Sequence, residues 1–158
     1  MCSFLVANWL INNLIYANFF LQPRGPDDTN RWHGYGFDFV HNLLHMTGEK
    51  VLQPFQDSDR KLVALFNGEI YNWEDLDSAG DAFRSDGDAI LSEYKRHGMD
   101  FVKRLDGEFA LALFDFELRQ LVLARDPFGA KPLWYATGRG TMPGAFAFSS
   151  YASALRRL

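Results

Sequence analysis

The residue with the most chemistry open to it stands second in the chain. Cys2 is the only cysteine among 158 residues. A methionine followed by a small residue is the usual setting for removal of the initiator, and removal leaves Cys2 with a free α-amine. Such an amine titrates near ~7.7–8.0, against ~10.4 for a lysine, so it is close to working pH. One residue then offers a thiol nucleophile together with its own general base, as enzymes with an N-terminal threonine do. The plain alternative is a small apolar residue that packs inside. A single thiol excludes an intrachain disulfide and any multi-cysteine metal site, so no metal and no cofactor are expected.

The elements that must position this residue are legible in outline. Cys2 to Ala7 reads as a short buried strand. Ile11, Leu14, Ile15 and Phe19 have helical spacing, which predicts a helix ending before Pro23. Residues 24–28 read as a turn. Gly36 to His45 and Lys61 to Phe66 are β-rich runs separated by a polar loop carrying Gln53-Pro54, and Asn67-Gly68 closes the second run as a turn pair. Asp88 to His97 has an acidic start, a basic end and Gly98 behind it, the marks of a helix; Asp100 to Leu105 continues it. Phe109 to Phe114 and Gln120 to Arg125 form a hairpin. Strands near Leu133 to Ala136 and Ala145 to Phe148 flank Gly138-Arg139-Gly140, a hairpin loop, and a helix over Tyr151 to Leu158 closes the chain. Strands, then helices, then strands again point to an α+β fold with antiparallel sheets, in one domain over residues 1–158.

Sixteen Lys+Arg stand against twenty Asp+Glu, for a net charge of −4. That balance gives no electrostatic reason to expect nucleic acid or an anionic membrane as partner. Phe4 to Leu21 is apolar, but four asparagines interrupt it, where a membrane-spanning helix needs about 20 nearly unbroken apolar residues. No basic residue precedes Arg24, so the start lacks the charged region of a signal peptide. The expectation is a soluble, cytoplasmic protein.

Several motifs occur in order along the chain: RGPD at 24–27, Gln53-Pro54, FNGEIYN at 66–72, Ser85-Asp86, LDGEFA at 105–110, and RDPFG-x-KPL at 125–133. Together they resemble the class II glutamine amidotransferase domain, the N-terminal nucleophile (Ntn) part of glutamine-dependent asparagine synthetases, over essentially the whole chain. The resemblance implies a four-layer αββα sandwich of two antiparallel sheets. It implies that Cys2 attacks the side-chain amide of glutamine to form a γ-glutamyl thioester, with Asn67 and Gly68 as the oxyanion hole. Asp86 matches the carboxylate that receives the substrate's α-ammonium, the alternative being a solvated helix cap. Glu69 falls in the substrate-contact stretch or serves as a structural ion-pair partner. Arg24 and Asp27 brace the site, and Arg125, Asp126 and Lys131 make a framework network.

Several departures qualify the resemblance. The family's carboxylate-binding arginine falls in the stretch His41 to Thr47, at Leu43 or, shifted by one, at Asn42. Neither makes a bidentate charge pair. His45 is a partial substitute for the lost cation or, alternatively, a histidine simply packed on its strand; Leu44 and Met46 of this stretch join Glu69 and Asp86 as substrate-binding candidates. The usual Ser-Glu pair near the end is Ser150-Tyr151 here. No Ser-Gly-Gly pyrophosphate loop and no G-x-x-x-x-G-K-[ST] loop occurs. The expectation is therefore a stand-alone glutaminase domain supplying ammonia to a separate ATP-dependent synthetase subunit. Two alternatives stay open: an N-terminal cysteine hydrolase of a different small-molecule amide, and a catalytically silent binding or regulatory domain.

Overall fold

The computed structural model describes residues 1–46, 49–57, 61–76, 80, 83–138 and 143–158. In chain order the elements are β1 (Ser3–Ala7), α1 (Leu14–Asn18), a 3-10 turn (Gln22–Arg24), β2 (Asp28–Gly34), β3 (Phe37–Leu43), β4 (Phe55–Gln56), β5 (Leu62–Ile70), α2 (Trp73–Leu76), α3 (Asp88–His97), a 3-10 stretch (Gly98–Arg104), β6 (Gly107–Asp115), β7 (Gln120–Arg125), β8 (Trp134–Thr137), β9 (Phe146–Ser149) and α4 (Ala152–Leu155). They divide into two compact units, Met1–His45 with Pro132–Leu158, and Met46–Lys131. Each unit holds one antiparallel sheet, ordered β2-β3-β1-β9-β8 in the first and β4-β5-β6-β7 in the second. Two antiparallel sheets with short helices make the expected α+β fold, compatible with the Ntn-hydrolase type.

In the first unit the period-2 alternation of strands sorts β1 and β3 into two faces. Leu5, Ala7, Val40 and Ala147 pack with Ile11, Ala17, Leu21 and Ala154 into one apolar cluster. Phe4, Val6, Phe39, His41 and Phe148 lie on the other face and are buried as well. The predicted first helix is shorter than its apolar spacing suggests. Only Leu14–Asn18 is helical. Ile15 and Phe19 point outward, while Ile11 precedes the helix, buried, with its N–H on Asp38 Oδ2 at 2.8 Å. β2 was not legible because it is mostly polar and neither of its faces is fully buried; it pairs with β3 through a two-residue turn in which Tyr35 and Gly36 both have positive φ, 54° and 79°. That is the geometry a tight hairpin needs.

The second unit is built on β5 and β6, each nine residues long, paired from Leu62↔Asp115 to Ile70↔Gly107. α3 lies over them, burying Ala89, Ile90 and Tyr94 in a cluster with Phe66, Phe101, Leu111 and Leu113. Each Leu, Ile or Phe side chain among them contributes about 1.5–3 kcal/mol on burial. The bounds of α3 are those the sequence predicts; Gly98 stops it and donates its N–H to Tyr94 O. Asn67-Gly68 is not a turn. Both residues lie inside β5, opposite Ala110 and Phe109, and the strand runs on to Ile70. Arg139 and Gly140 of the expected Gly-Arg-Gly loop, and Thr47, lie outside the described residues.

Candidate active site

Cys2 stands one residue before β1, half-buried, and its Sγ–H donates to the Leu44 carbonyl at 3.8 Å. Continuing the β1–β3 register by one step sets it opposite Leu43, which is buried. Asn42 faces the other way. Its Nδ2 donates to Ser3 Oγ at 3.1 Å and Asn18 Oδ1 at 2.8 Å, and its Oδ1 accepts from Asn18 Nδ2 and Thr29 Oγ1. The amide is fully used by the fold, which also explains why Asn18 on α1 is buried. Neither position for the missing arginine therefore offers a free polar group.

The candidates around it divide between bracing and exposure. Asp27 accepts the His45 N–H at 2.8 Å and donates its own to Leu43 O, fixing the end of β3. The His45 side chain is exposed beyond the strand, and Met46 is exposed too. Arg24 stacks over the Tyr151 ring, 5.0 Å from its centroid, and donates to the Tyr151 hydroxyl. The buried histidine of this unit is His41, two register steps from Cys2 and on the Phe4 face. It is fully buried and neither ring nitrogen has a hydrogen-bond partner. Burial lowers its pKa from 6.5 to about 3. Counting residues in twos from Phe39 finds its orientation; nothing in the sequence shows that its nitrogens lack partners.

In the second unit Asn67 is the counterpart of that observation. It is fully buried, and both its Oδ1 and Nδ2 lack partners. A native fold pairs nearly all buried polar atoms, so an unpaired primary amide is a donor and an acceptor held for something else. Its position is fixed on both sides. Gln53 clamps Phe66 by donating Nε2 to its carbonyl at 3.0 Å and accepting its N–H at 2.7 Å. Gly68 has φ +153°, and a Cβ there would lie 2.0 Å from Glu108 O. Only glycine fits against β6 at that point.

Asp86 is no solvated cap. Its carboxylate accepts Ile70 N–H at 3.0 Å and Gly87 N–H at 2.9 Å, tying the start of α3 to the end of β5. Burial pushes its pKa up, the two backbone donors oppose that, and the charge of Glu69 adds to the rise. Glu69 is exposed, opposite Glu108, and makes no ion pair among the described residues. The pair falls to Glu108 instead, with Lys131 Nζ at 2.6 Å. Asp126 carries the loop that delivers Lys131. Burial pushes its carboxyl up, but the N–H groups of Ala130, Lys131, Phe109 and Phe128 outweigh that and hold its pKa low. Arg125 closes the same loop on Gly129 O at 2.8 Å.

Among the described residues no group of three or more His, Cys, Asp or Glu is placed to hold a metal ion, and no helix is long and apolar enough to cross a membrane. The first unit thus holds a half-buried thiol, and the second holds a buried unpaired amide and a carboxylate bound by two backbone N–H groups.

Comparison with known proteins agrees. A family model described as a glutamine amidotransferase domain matches residues 6–158. A Mycobacterium tuberculosis (strain ATCC 25618 / H37Rv) protein carrying the name asparagine synthetase [glutamine-hydrolyzing] is 39% identical over 142 residues, 78% of this chain and 22% of that protein. Asparagine synthetase [glutamine-hydrolyzing] 2 of Bacillus subtilis (strain 168) is 32% identical over 85% of this chain and 18% of its own length. Amidase chry2 of Gibberella zeae is 33% identical over 83% of this chain and 21% of its own. The chain thus spans about a fifth of the length of the curated relatives it matches.

Proposed function

Because the chain belongs to the family of glutamine amidotransferase domains, we propose that residues 1–158 form one such domain, which hydrolyses the side-chain amide of glutamine with Cys2 as nucleophile. The observation that carries this reading is the buried, unpartnered amide of Asn67. Loss of Met1 frees the α-amine of Cys2, which takes the thiol proton as Sγ attacks the amide carbon. Electrons pass to the amide oxygen, and the side-chain N–H of Asn67 and the backbone N–H of Gly68 receive the oxyanion. Collapse expels the nitrogen, which takes the proton from the α-ammonium and leaves as ammonia. The γ-glutamyl thioester then yields to a water that the same amine deprotonates, giving glutamate and the free thiol. Asp86, with Glu69 beside it, draws the α-ammonium of the substrate into a field already negative.

The ammonia passes to a synthetase, in keeping with the names of the bacterial relatives. A single cysteine and the absence of disulfides fit a cytoplasmic setting. A second reading rests on Asn42, whose amide the fold consumes. With neither Leu43 nor Asn42 supplying a cation for the α-carboxylate, the substrate is an amide without a free carboxylate at that position, a reading that the amidase among the relatives favours.

The test is release of glutamate and ammonia from glutamine by the Met1-free protein. Cys2→Ala abolishes it, and Asn67→Ala lowers kcat by about a hundred- to a thousandfold, the cost of one oxyanion donor. Full turnover in Asn67→Ala, or in protein that retains Met1, overturns the mechanism. Turnover of glutamine esterified at the α-carboxylate in preference to glutamine selects the second reading.

A further inference from the structure

The second unit carries a cavity that the amide-cleaving reading does not use. It measures about 370 Å³ and lies between the segment 51–57 and α3. Val51, Pro54, Phe55 and Leu91 line it with apolar surface. The Phe55 ring is held in place, since Gly87 lies so close that a Cβ there would sit 2.3 Å from its Cζ. The polar groups around this floor are unequally occupied. Arg84 and Asp88 neutralise each other, with the Arg84 N–H on Asp88 Oδ2 at 3.0 Å and Nε at 3.4 Å. Lys95 lines the cavity from α3 and has no carboxylate partner among the described residues. Asp57 lines it from the other wall, its Oδ1 accepting only the N–H groups of Lys61 and Leu62.

A cation on one wall, an anion on the other and apolar side chains between them match one kind of small molecule. We propose that this cavity binds an α-amino acid with an apolar side chain. Its carboxylate lies on Lys95, its ammonium on Asp57, and its side chain on Phe55 and Leu91. The volume falls within the range of about 300–1,000 Å³ typical of small-molecule sites. Glutamine fits it poorly, because its own amide finds no partner over Phe55 and Leu91.

Isothermal titration of the full chain with L-leucine, L-methionine and L-phenylalanine tests this without any turnover. Binding by at least one of the three is expected, unchanged in Cys2→Ala, which separates the cavity from the site of Cys2. Lys95→Met and Asp57→Asn each weaken it by about tenfold, the value of one charge-assisted hydrogen bond; Asp57→Asn keeps an oxygen for the Lys61 and Leu62 N–H groups. L-leucinamide and N-acetyl-L-leucine bind about tenfold more weakly than L-leucine, and Lys95→Met leaves the leucinamide affinity unchanged. No heat from any of the three amino acids, equal binding of the blocked derivatives, loss of binding in Cys2→Ala, or undiminished affinity in both charge variants overturns the proposal.

Discussion

Mild acid should loosen this protein through one imidazole in particular. His41 is buried without a hydrogen-bond partner for either ring nitrogen, and its pKa falls from 6.5 to about 3 because burial penalises the charged ring. In the unfolded chain the same ring takes a proton below about pH 6.5. Between the two values the unfolded state therefore binds one more proton than the folded state, and stability falls as pH falls, by about 1.4 kcal/mol per unit. From about pH 6.5 to about pH 5 the loss from this residue is about 2 kcal/mol, a large part of a typical margin of about 5–15. His41→Leu is close in volume, removes the proton uptake and removes two unpaired polar atoms, so its stability at neutral pH should equal or exceed the parent's. Urea unfolding followed by tryptophan fluorescence at the two pH values gives the comparison. Acid effects of all other groups are common to both proteins and cancel in the difference. The parent should lose about 2 kcal/mol more than the variant over this interval. Equal losses, within about 0.5 kcal/mol, would refute the reasoning, because they would mean that water or a polar group reaches the ring.

Three further outcomes follow from the geometry. Asp86 has a pKa raised first by burial and further by Glu69, so kcat/KM for an ammonium-bearing substrate should fall on acidification at a pH above the ordinary carboxylate range; Asp86→Asn should raise KM and remove that acid limb from the pH profile. Gly68→Ala places a Cβ 2.0 Å from Glu108 O at a φ of +153°, so urea unfolding should show a loss of about 2–4 kcal/mol as β5 separates from β6. Glu93 is buried on α3 and accepts Arg104 Nε at 2.6 Å, with Arg96 Nη1 at 3.5 Å; Glu93→Ala should cost about 3 kcal/mol in the same assay, the low end for a broken buried pair because both arginines still reach water.

The features legible from the residues alone are local or carried by long motifs. α3 was legible from end to end, since its acidic start, its basic end and Gly98 act within a few residues of the backbone they cap. The β6–β7 hairpin was legible for the same reason, and the ordered motifs from RGPD to RDPFG-x-KPL named the family and the candidate residues. The rest depended on contacts between distant segments. Asn67-Gly68 has the local signature of a turn, yet pairing with Ala110 and Phe109, more than forty residues away, holds it inside a strand and leaves the Asn67 amide buried and unpaired. Asn42 and His41 are neighbours with similar prospects in the sequence. The pairing of β3 with β1 sends one into a saturated network with Ser3, Asn18 and Thr29 and the other into an apolar face without partners. A strand's alternation is written in its sequence, but which face finds hydrogen-bond partners depends on what distant segments bring to it.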